Sequence, residues 1–197
     1  MTEENTPTLI TERLILRRFT DHDAEALFRI LSDREVNTFL PMFPLETLEE
    51  ADTYLVNNYL NKYKMPHAYH YAVCLKTDSI PIGYVNISDD DSHDLGYGLL
   101  REFWHQGLIT EAGKAVIERL KSSELPYITA THDIQNPRSG AVMKKLGMTY
   151  QYTYEEQWQP KNIPVRFRMY QLNLKGQGVS VYKKYWNKYA VHYVEEV

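Results

Sequence analysis

The segment Phe103-Trp104-His105-Gln106-Gly107-Leu108-Ile109-Thr110-Glu111-Ala112 decides how the chain is read. Before it, Asp94 to Leu100 alternates in the manner of a strand. After it, Leu108, Ala112, Ala115, Val116 and Leu120 fall on one face of a helix. A strand that passes through a glycine-containing loop into a helix makes an anion site. The first N–H groups of the helix have no internal partner and sit at the positive end of its dipole. Gly107 lets the main chain approach a phosphate with no Cβ in the way. The same pattern also fits an ordinary strand–loop–helix turn, so the rest of the chain has to decide.

The totals set the frame. A chain of 197 residues is long enough to bury a core as one domain. Its shares of 43% hydrophobic and 24% charged residues are those of a globular protein. No apolar run reaches the length of a membrane span, and Met1 to Pro7 is polar, so neither a membrane segment nor a signal peptide is expected. The single cysteine, Cys74, excludes an internal disulfide and fits a reducing cytoplasm; within Tyr71-Ala72-Val73-Cys74-Leu75 it reads as a buried thiol. A net charge of −4 gives no general reason to bind nucleic acid or anionic lipid.

Taken in order, Leu14 to Phe19 is a first strand, and Asp21 caps a helix carrying Ala24, Leu27, Phe28 and Leu31. Residues 32–44, with two prolines, read as a loop with room for a turn of helix. Thr47 opens a helix to about Lys62. Tyr69–Lys76, Ile82–Ser88 and Asp94–Leu100 form an antiparallel meander with short links. Tyr127–Thr131 returns through the central helix and should lie parallel to Asp94–Leu100. Asn136 (N-cap), Pro137 and Gly147 (C′) bracket a further helix. Thr149–Glu156 and Val165–Leu174 are the last strands. Beyond the hinge-like Lys175-Gly176-Gln177-Gly178, the tail places Tyr182, Tyr185, Trp186, Tyr189 and Tyr193 at helical spacing. This predicts a helix that docks on its own domain, with a contact between two chains as the alternative.

Four pieces then converge: Thr11-Glu12-Arg13-Leu14-Ile15-Leu16-Arg17, Leu95-Gly96-Tyr97 leading into the Gly107 loop, Asn136-Pro137-Arg138-Ser139, and Lys145-Leu146-Gly147-Met148. In this order they resemble the GNAT superfamily of acyl-CoA-dependent N-acetyltransferases, nearest to the subgroup that acetylates ribosomal-protein N-termini. The resemblance covers about residues 8 to 174. It implies an α+β fold: a mixed, mostly antiparallel sheet flanked by helices, with a parallel strand pair splayed at the acetyl-CoA site. The implied division is a GNAT domain over 1–174 and an aromatic helical tail over 175–197.

The resemblance also implies site residues. Gln106, Gly107, Leu108, Ile109 and Thr110 would grip the pyrophosphate of acetyl-CoA. The family loop often has glycine where His105 stands and a small residue where Ile109 stands. Glu111 would oppose a phosphate and should point away. The backbones of Leu99 and Leu100 match the segment that pairs with the pantetheine arm. Asn136 matches a cofactor-contacting asparagine, and it is equally an N-cap. Ser139 matches the hydroxyl that protonates the departing thiolate; the tyrosine many members use one turn later is here Met143. Asp94 stands where the subgroup often carries a glutamate and is the candidate base, although it is shorter by one methylene. Asp89-Asp90-Asp91 reads as a solvated turn.

The implied reaction is acetyl transfer to a primary amine, with a protein or peptide N-terminus as the leading acceptor. At pH 7 roughly 10–15% of an α-amino group is neutral, against under about 0.1% of a lysine, so an N-terminus asks little of a base. The alternatives are a small-molecule amine (aminoglycoside, polyamine or amino acid) and a CoA-binding module without catalysis. No metal, nucleic acid or membrane partner is expected, and the chain would be a monomer or homodimer. The acceptor pocket would come from residues 32–64 and the Lys161 loop.

Overall fold

The computed structural model describes residues 5–65, 69–176 and 178–197. The expectations that touch Met1–Glu4 and Gln177 lie outside these residues. Apolar side chains at helical spacing run along the thirteen-residue central helix α4 (Leu108–Leu120), the longest among the described residues, and it buries Leu108, Ala112, Val116 and Leu120. The helix leans on a five-stranded antiparallel sheet: β1 (Leu9–Ile10), β2 (Leu14–Arg17), β3 (Tyr69–Leu75), β4 (Pro81–Ile87) and β5 (Leu95–Leu99), in that order. On the other face of this sheet lie α1 (Ala24–Ser32) and α3 (Leu48–Leu55).

The second sheet has the order β6-β8-β7-β9, again antiparallel, from β6 (Tyr127–Asp133), β7 (Thr149–Trp158), β8 (Ile163–Asn173) and β9 (His192–Tyr193). Helix α5 (Pro137–Lys145) links β6 to β7, starting at Asn136 and ending before Gly147 as the sequence predicts. Strands β5 and β6 run parallel, as expected, and among the described residues they meet at one bridge, Asp94–Thr129. Past that point they part. The fold is therefore α+β, two antiparallel sheets splayed from a single parallel contact and flanked by helices.

Several boundaries differ from the sequence reading. Asp23, not Asp21, precedes α1: it is buried and takes a two-pronged contact from Arg17 at 2.7 and 2.8 Å. Within the loop, residues 34–37 do form a turn of helix, α2 (Arg34–Asn37), because the Asp33 carboxylate accepts from the N–H groups of Glu35 and Val36. The helix begun at Thr47 loosens into a π turn at Val56–Leu60, which delivers Tyr59 into the core. Each residue of the acidic turn has a partner. Asp89 pairs with Lys62, Asp90 accepts from Ser88 and Ser92, and Asp91 binds Lys184.

The tail is only briefly helical. After α6 (Lys184–Lys188) it extends and adds β9 to the edge of β7. Tyr182 is buried, and Tyr154 lies between the rings of Tyr185 and Tyr189, at 5.1 and 5.0 Å. Trp186 meets Tyr152 edge-on at 5.4 Å. The stripe read as one helix face is used by a turn, a short helix and a strand in succession. The common driver is burial of aromatic surface against β7.

Candidate functional site

The residues singled out in the sequence fall along the opening between β5 and β6. At its wide end, Gly107 sits at φ +74° and caps α4. The first helical bond runs from Glu111 N–H to Gly107 C=O, so the N–H groups of Leu108, Ile109 and Thr110 have no partner within the helix. Leu108 and Ile109 turn their side chains into the core, which leaves this N-terminus open despite the bulk of Ile109. His105 also adopts a left-handed backbone, at φ +62°, which accounts for the family's glycine at that place. A shallow cavity of about 320 Å³ covers the helix start, lined by Glu12, Gly107, Thr110, Glu111, Lys114 and Lys145.

Glu111 lines that cavity with its carboxylate taken up by Thr11 and Arg13. Arg13 Nε bonds it at 2.7 Å, and Thr11 Oγ1 donates to it at 2.6 Å. Partial burial opposes its charge, but these bonds prevail and hold the carboxyl below its ordinary range. Arg13 Nη1 also donates to the Gln106 carbonyl at 2.9 Å. Arg13, just before β2, therefore ties down both the loop and the one acid of the first helical turn. Sequence reading placed Arg13 in a motif without seeing this clamp, which joins residues nearly a hundred positions apart.

Further along, the register of β5 sets which backbone groups face the opening. Leu100 N–H donates to Ile82 C=O, and the Leu100 carbonyl accepts from Phe103 N–H, so Leu100 has both groups occupied. That corrects its expected availability for pairing. By the alternation of an antiparallel ladder, Leu95, Tyr97 and Leu99 direct their N–H groups away from β4; Leu95 meets β6 at the bridge, and Tyr97 and Leu99 face the opening. The Leu99 carbonyl accepts the Trp104 indole N–H at 2.8 Å, fixing the strand end. Gly98 is needed on the opposite face, where a Cβ would lie 2.6 Å from the Tyr84 ring.

At the helix across the opening, the Asn136 Oδ1 accepts from Ser139 N–H at 3.3 Å, so the N-cap uses only the oxygen of that amide. Met143 is buried in the core and offers no proton. The Ser139 hydroxyl lies 2.8 Å from the Tyr97 hydroxyl, which also donates to the Ser139 carbonyl at 3.0 Å. Burial foremost pushes Tyr97 above the phenol range, with Asp94 adding to it, so the hydroxyl keeps its proton at neutral pH. Tyr97 was visible in the sequence only as part of Leu95-Gly96-Tyr97. The side on which it projects follows from strand parity, but its partner does not.

Asp94 occupies the vertex, where the sheets touch. Its N–H donates to Ser88 Oγ at 2.8 Å, and Thr129 Oγ1 lies 3.4 Å from its carboxylate. Burial, with help from the Asp90 charge, raises its carboxyl to about 7 despite the Thr129 contact. The two segments expected to shape an acceptor pocket do meet: Lys161 Nζ, on the β7–β8 hairpin, donates to Asn37 C=O at 2.7 Å. Asn37 is buried with neither atom of its carboxamide hydrogen-bonded.

Residues 13–149 match the family model described as the acetyltransferase (GNAT) domain, well over half of the chain. The chain belongs to the GNAT acetyltransferase family. As a GNAT protein it is an acyl-CoA N-acetyltransferase. It is 26% identical over 159 residues to the Bacillus subtilis (strain 168) protein named uncharacterized N-acetyltransferase YoaA, covering 76% of this chain and 89% of that one. Its fold is similar to RimL, the ribosomal L7/L12 alpha-N-protein acetyltransferase solved with coenzyme A: TM-score 0.75, 16% identity, 85% of this chain and 98% of that one. It is also similar to the microcin C7 self-immunity acetyltransferase MccE, solved with acetyl-CoA and AMP: TM-score 0.73, 16% identity, 86% and 98%. Among the described residues no helix is long and apolar enough to cross a membrane.

Proposed function

We propose that this GNAT enzyme transfers an acetyl group from acetyl-CoA to a primary amine, with the α-amine of a protein or peptide as its acceptor. The observation that carries the reading is the placement of Asp94, with a carboxyl near pH 7, at the vertex of an opening whose other end is an anion site. The residues fit the cofactor. Free N–H groups at Leu108, Ile109 and Thr110, the left-handed Gly107, and Lys114 and Lys145 around the cavity suit a pyrophosphate. Gln106 supports that loop through its carbonyl bond to Arg13. The N–H groups of Tyr97 and Leu99 suit the amides of a pantetheine arm, and the unused amide nitrogen of Asn136 suits a further polar contact.

Bound acetyl-CoA supplies an acyl group activated as a thioester. Asp94 takes the proton from the attacking amine as the N–C bond forms. The Leu99 N–H faces the place where the thioester oxygen gathers charge. As the C–S bond breaks, Ser139 gives its proton to the thiolate, and the Tyr97 hydroxyl, 2.8 Å from Ser139 Oγ, turns its one proton from the Ser139 carbonyl to the oxygen left behind. Magnitudes favour the α-amine. A base near 7 takes a proton from a group of pKa 7.7–8.0 at a cost of about 1 kcal/mol, but from a lysine near 10.4 at about 4.6 kcal/mol.

The test has two arms. Acetyl-CoA should raise the melting temperature of the protein, and Gly107→Glu should abolish that rise by setting a carboxylate in the phosphate position. Thiol release should then be followed with peptides, polyamines, aminoglycosides and free amino acids as acceptors. Turnover confined to the small amines would replace the N-terminal reading with the small-molecule one. A thermal shift without turnover on any amine would leave a CoA-binding module.

A further inference from the structure

His132, near the end of β6, is 4% exposed and has no part in the chemistry assigned above. Its Nδ1 lies 2.8 Å from the Asp133 carbonyl, and because a carbonyl only accepts, Nδ1 carries the ring proton. Nε2 therefore holds a lone pair, buried and without a hydrogen-bond partner among the described residues. It faces the first turn of α5. A Cβ on Gly140 would lie only 2.6 Å from it. The Asp133 carbonyl also takes the Asn136 N–H at 2.8 Å. Asn136 in turn takes the Ser139 N–H, through its own carbonyl at 3.1 Å and through Oδ1 at 3.3 Å. The imidazole thus meets the chain on both sides of Ser139, at the turn before it and at the glycine after it. Behind the ring stand Tyr170 of β8, at 5.6 Å between centroids, and the ladder partner Arg168. Burial foremost, with Arg168, keeps the imidazole below its ordinary range despite the Asp133 bond, so it is neutral at pH 7.

We propose that His132 is a positioning residue for Ser139: the ring is the bed for the first turn of α5, and its Nδ1–H fixes the carbonyl from which that turn starts. The inference rests on the reading of Ser139 as the proton donor to the thiolate. Two observations set this ring apart from an ordinary core histidine. A buried ring nitrogen without a partner is costly, and this one is kept against helix backbone. Gly140 is buried at a helical position that alanine would ordinarily favour. The three atoms nearest to such a methyl group all belong to His132, at 2.6 to 3.2 Å. Ring and glycine are fitted to each other. The fit matters because Ser139 Oγ stands 2.8 Å from the Tyr97 hydroxyl. A displacement of about 0.5 Å takes that contact past the roughly 2.5–3.0 Å of an O–H···O bond.

Gly140→Ala should press the turn off the ring. In the ligand-free protein the Ser139 N–H should then exchange with deuterated buffer about 10-fold faster. The kcat should fall about 10-fold, with the KM for acetyl-CoA within a few-fold. His132→Asn keeps a donor near the place of Nδ1 and withdraws the atoms that the methyl group strikes. The pair Gly140→Ala, His132→Asn should therefore recover most of both losses. In a Ser139→Ala background, Gly140→Ala should cost no further kcat, whereas general damage to the fold would multiply with it. If Gly140→Ala does not fold by circular dichroism, His132→Leu takes its place in the same measurements, since it removes the donor and keeps much of the volume. Unchanged Ser139 exchange in the folded variant overturns the proposal, and so do losses that multiply. A kcat indifferent to Ser139→Ala overturns instead the reading of Ser139 as the donor, whatever the exchange shows about the ring.

Discussion

Two hydroxyls lie 2.8 Å apart, on Tyr97 and Ser139, and in the proposed reaction they would act as one proton donor. A serine that loses its proton in the open would be a poor acid. One that receives a hydrogen bond as it does so is a better one. Ser139→Ala should lower kcat by about 10- to 100-fold with the KM for acetyl-CoA within a few-fold, and Tyr97→Phe by about 10-fold. Because the two act as a pair, the double variant should be little worse than Ser139→Ala, which a double-mutant cycle on kcat reads directly. If the two losses multiply, the hydroxyls work independently. Asp94 adds a stability signature. Its folded carboxyl lies near 7 and its unfolded one near 3.9, so the folded state holds the extra proton between those values. The group therefore favours folding less as pH rises through 7. Asp94→Asn should gain on wild type in denaturant melts above pH 7 and show no such gain below about pH 4.

Among the elements, the join of β2 to α4 has a job beyond packing. Arg13 holds Glu111 and the Gln106 carbonyl together, offsetting the Glu111 charge at the opening of α4. Arg13→Ala should free that carboxylate and raise the KM for acetyl-CoA about 5- to 10-fold, with kcat nearly unchanged. The double variant Arg13→Ala, Glu111→Gln should restore most of it, and a failure of rescue would mean that Arg13 serves the loop alone. Most of this element-level plan was legible in the sequence. The alternation of Asp94–Leu100, the one-sided helix after Gly107 and the cap–stop pair Asn136/Gly147 all report local preferences, and the structure keeps them. What was not legible depends on distant partners. The π form of the turn at Val56–Leu60 and the Arg13–Glu111 clamp are decided by contacts that spacing along the chain does not encode. The tail shows the same limit in reverse, since real helical spacing was overridden by an open β7 edge and a bed of tyrosines.

For the molecule as a whole, the second aromatic cluster is where the tail contributes to stability. Tyr152, Tyr154, Val165, Phe167 and Met169 are buried together with Tyr182, with Tyr185, Trp186 and Tyr189 packed against them. Trp186→Ala should cost about 2 kcal/mol, below the 3–5 of a fully enclosed tryptophan, because Trp186 is only half-buried. Removing residues 179–197 should lower the unfolding midpoint much further and expose the β7 edge and its rings to dye binding. Light scattering should report the same mass for intact and truncated chains in dilute solution. A dimer present only with the tail would assign that aromatic surface to an interface between chains instead.

The single bridge between the sheets has a consequence that can be read on the clock of amide exchange. Along β5, Gly96 and Gly98 direct their N–H groups to β4 and Leu95 lies at the bridge to β6, while Tyr97 and Leu99 direct theirs into the opening. One short strand thus carries two populations of amide, interleaved residue by residue. In deuterated buffer, ligand-free protein should show Gly96 and Gly98 exchanging slowly and Tyr97 and Leu99 quickly. Saturating coenzyme A should slow Tyr97 and Leu99 and leave the two glycines as they were, so that a bound arm is seen as the strand's missing neighbour.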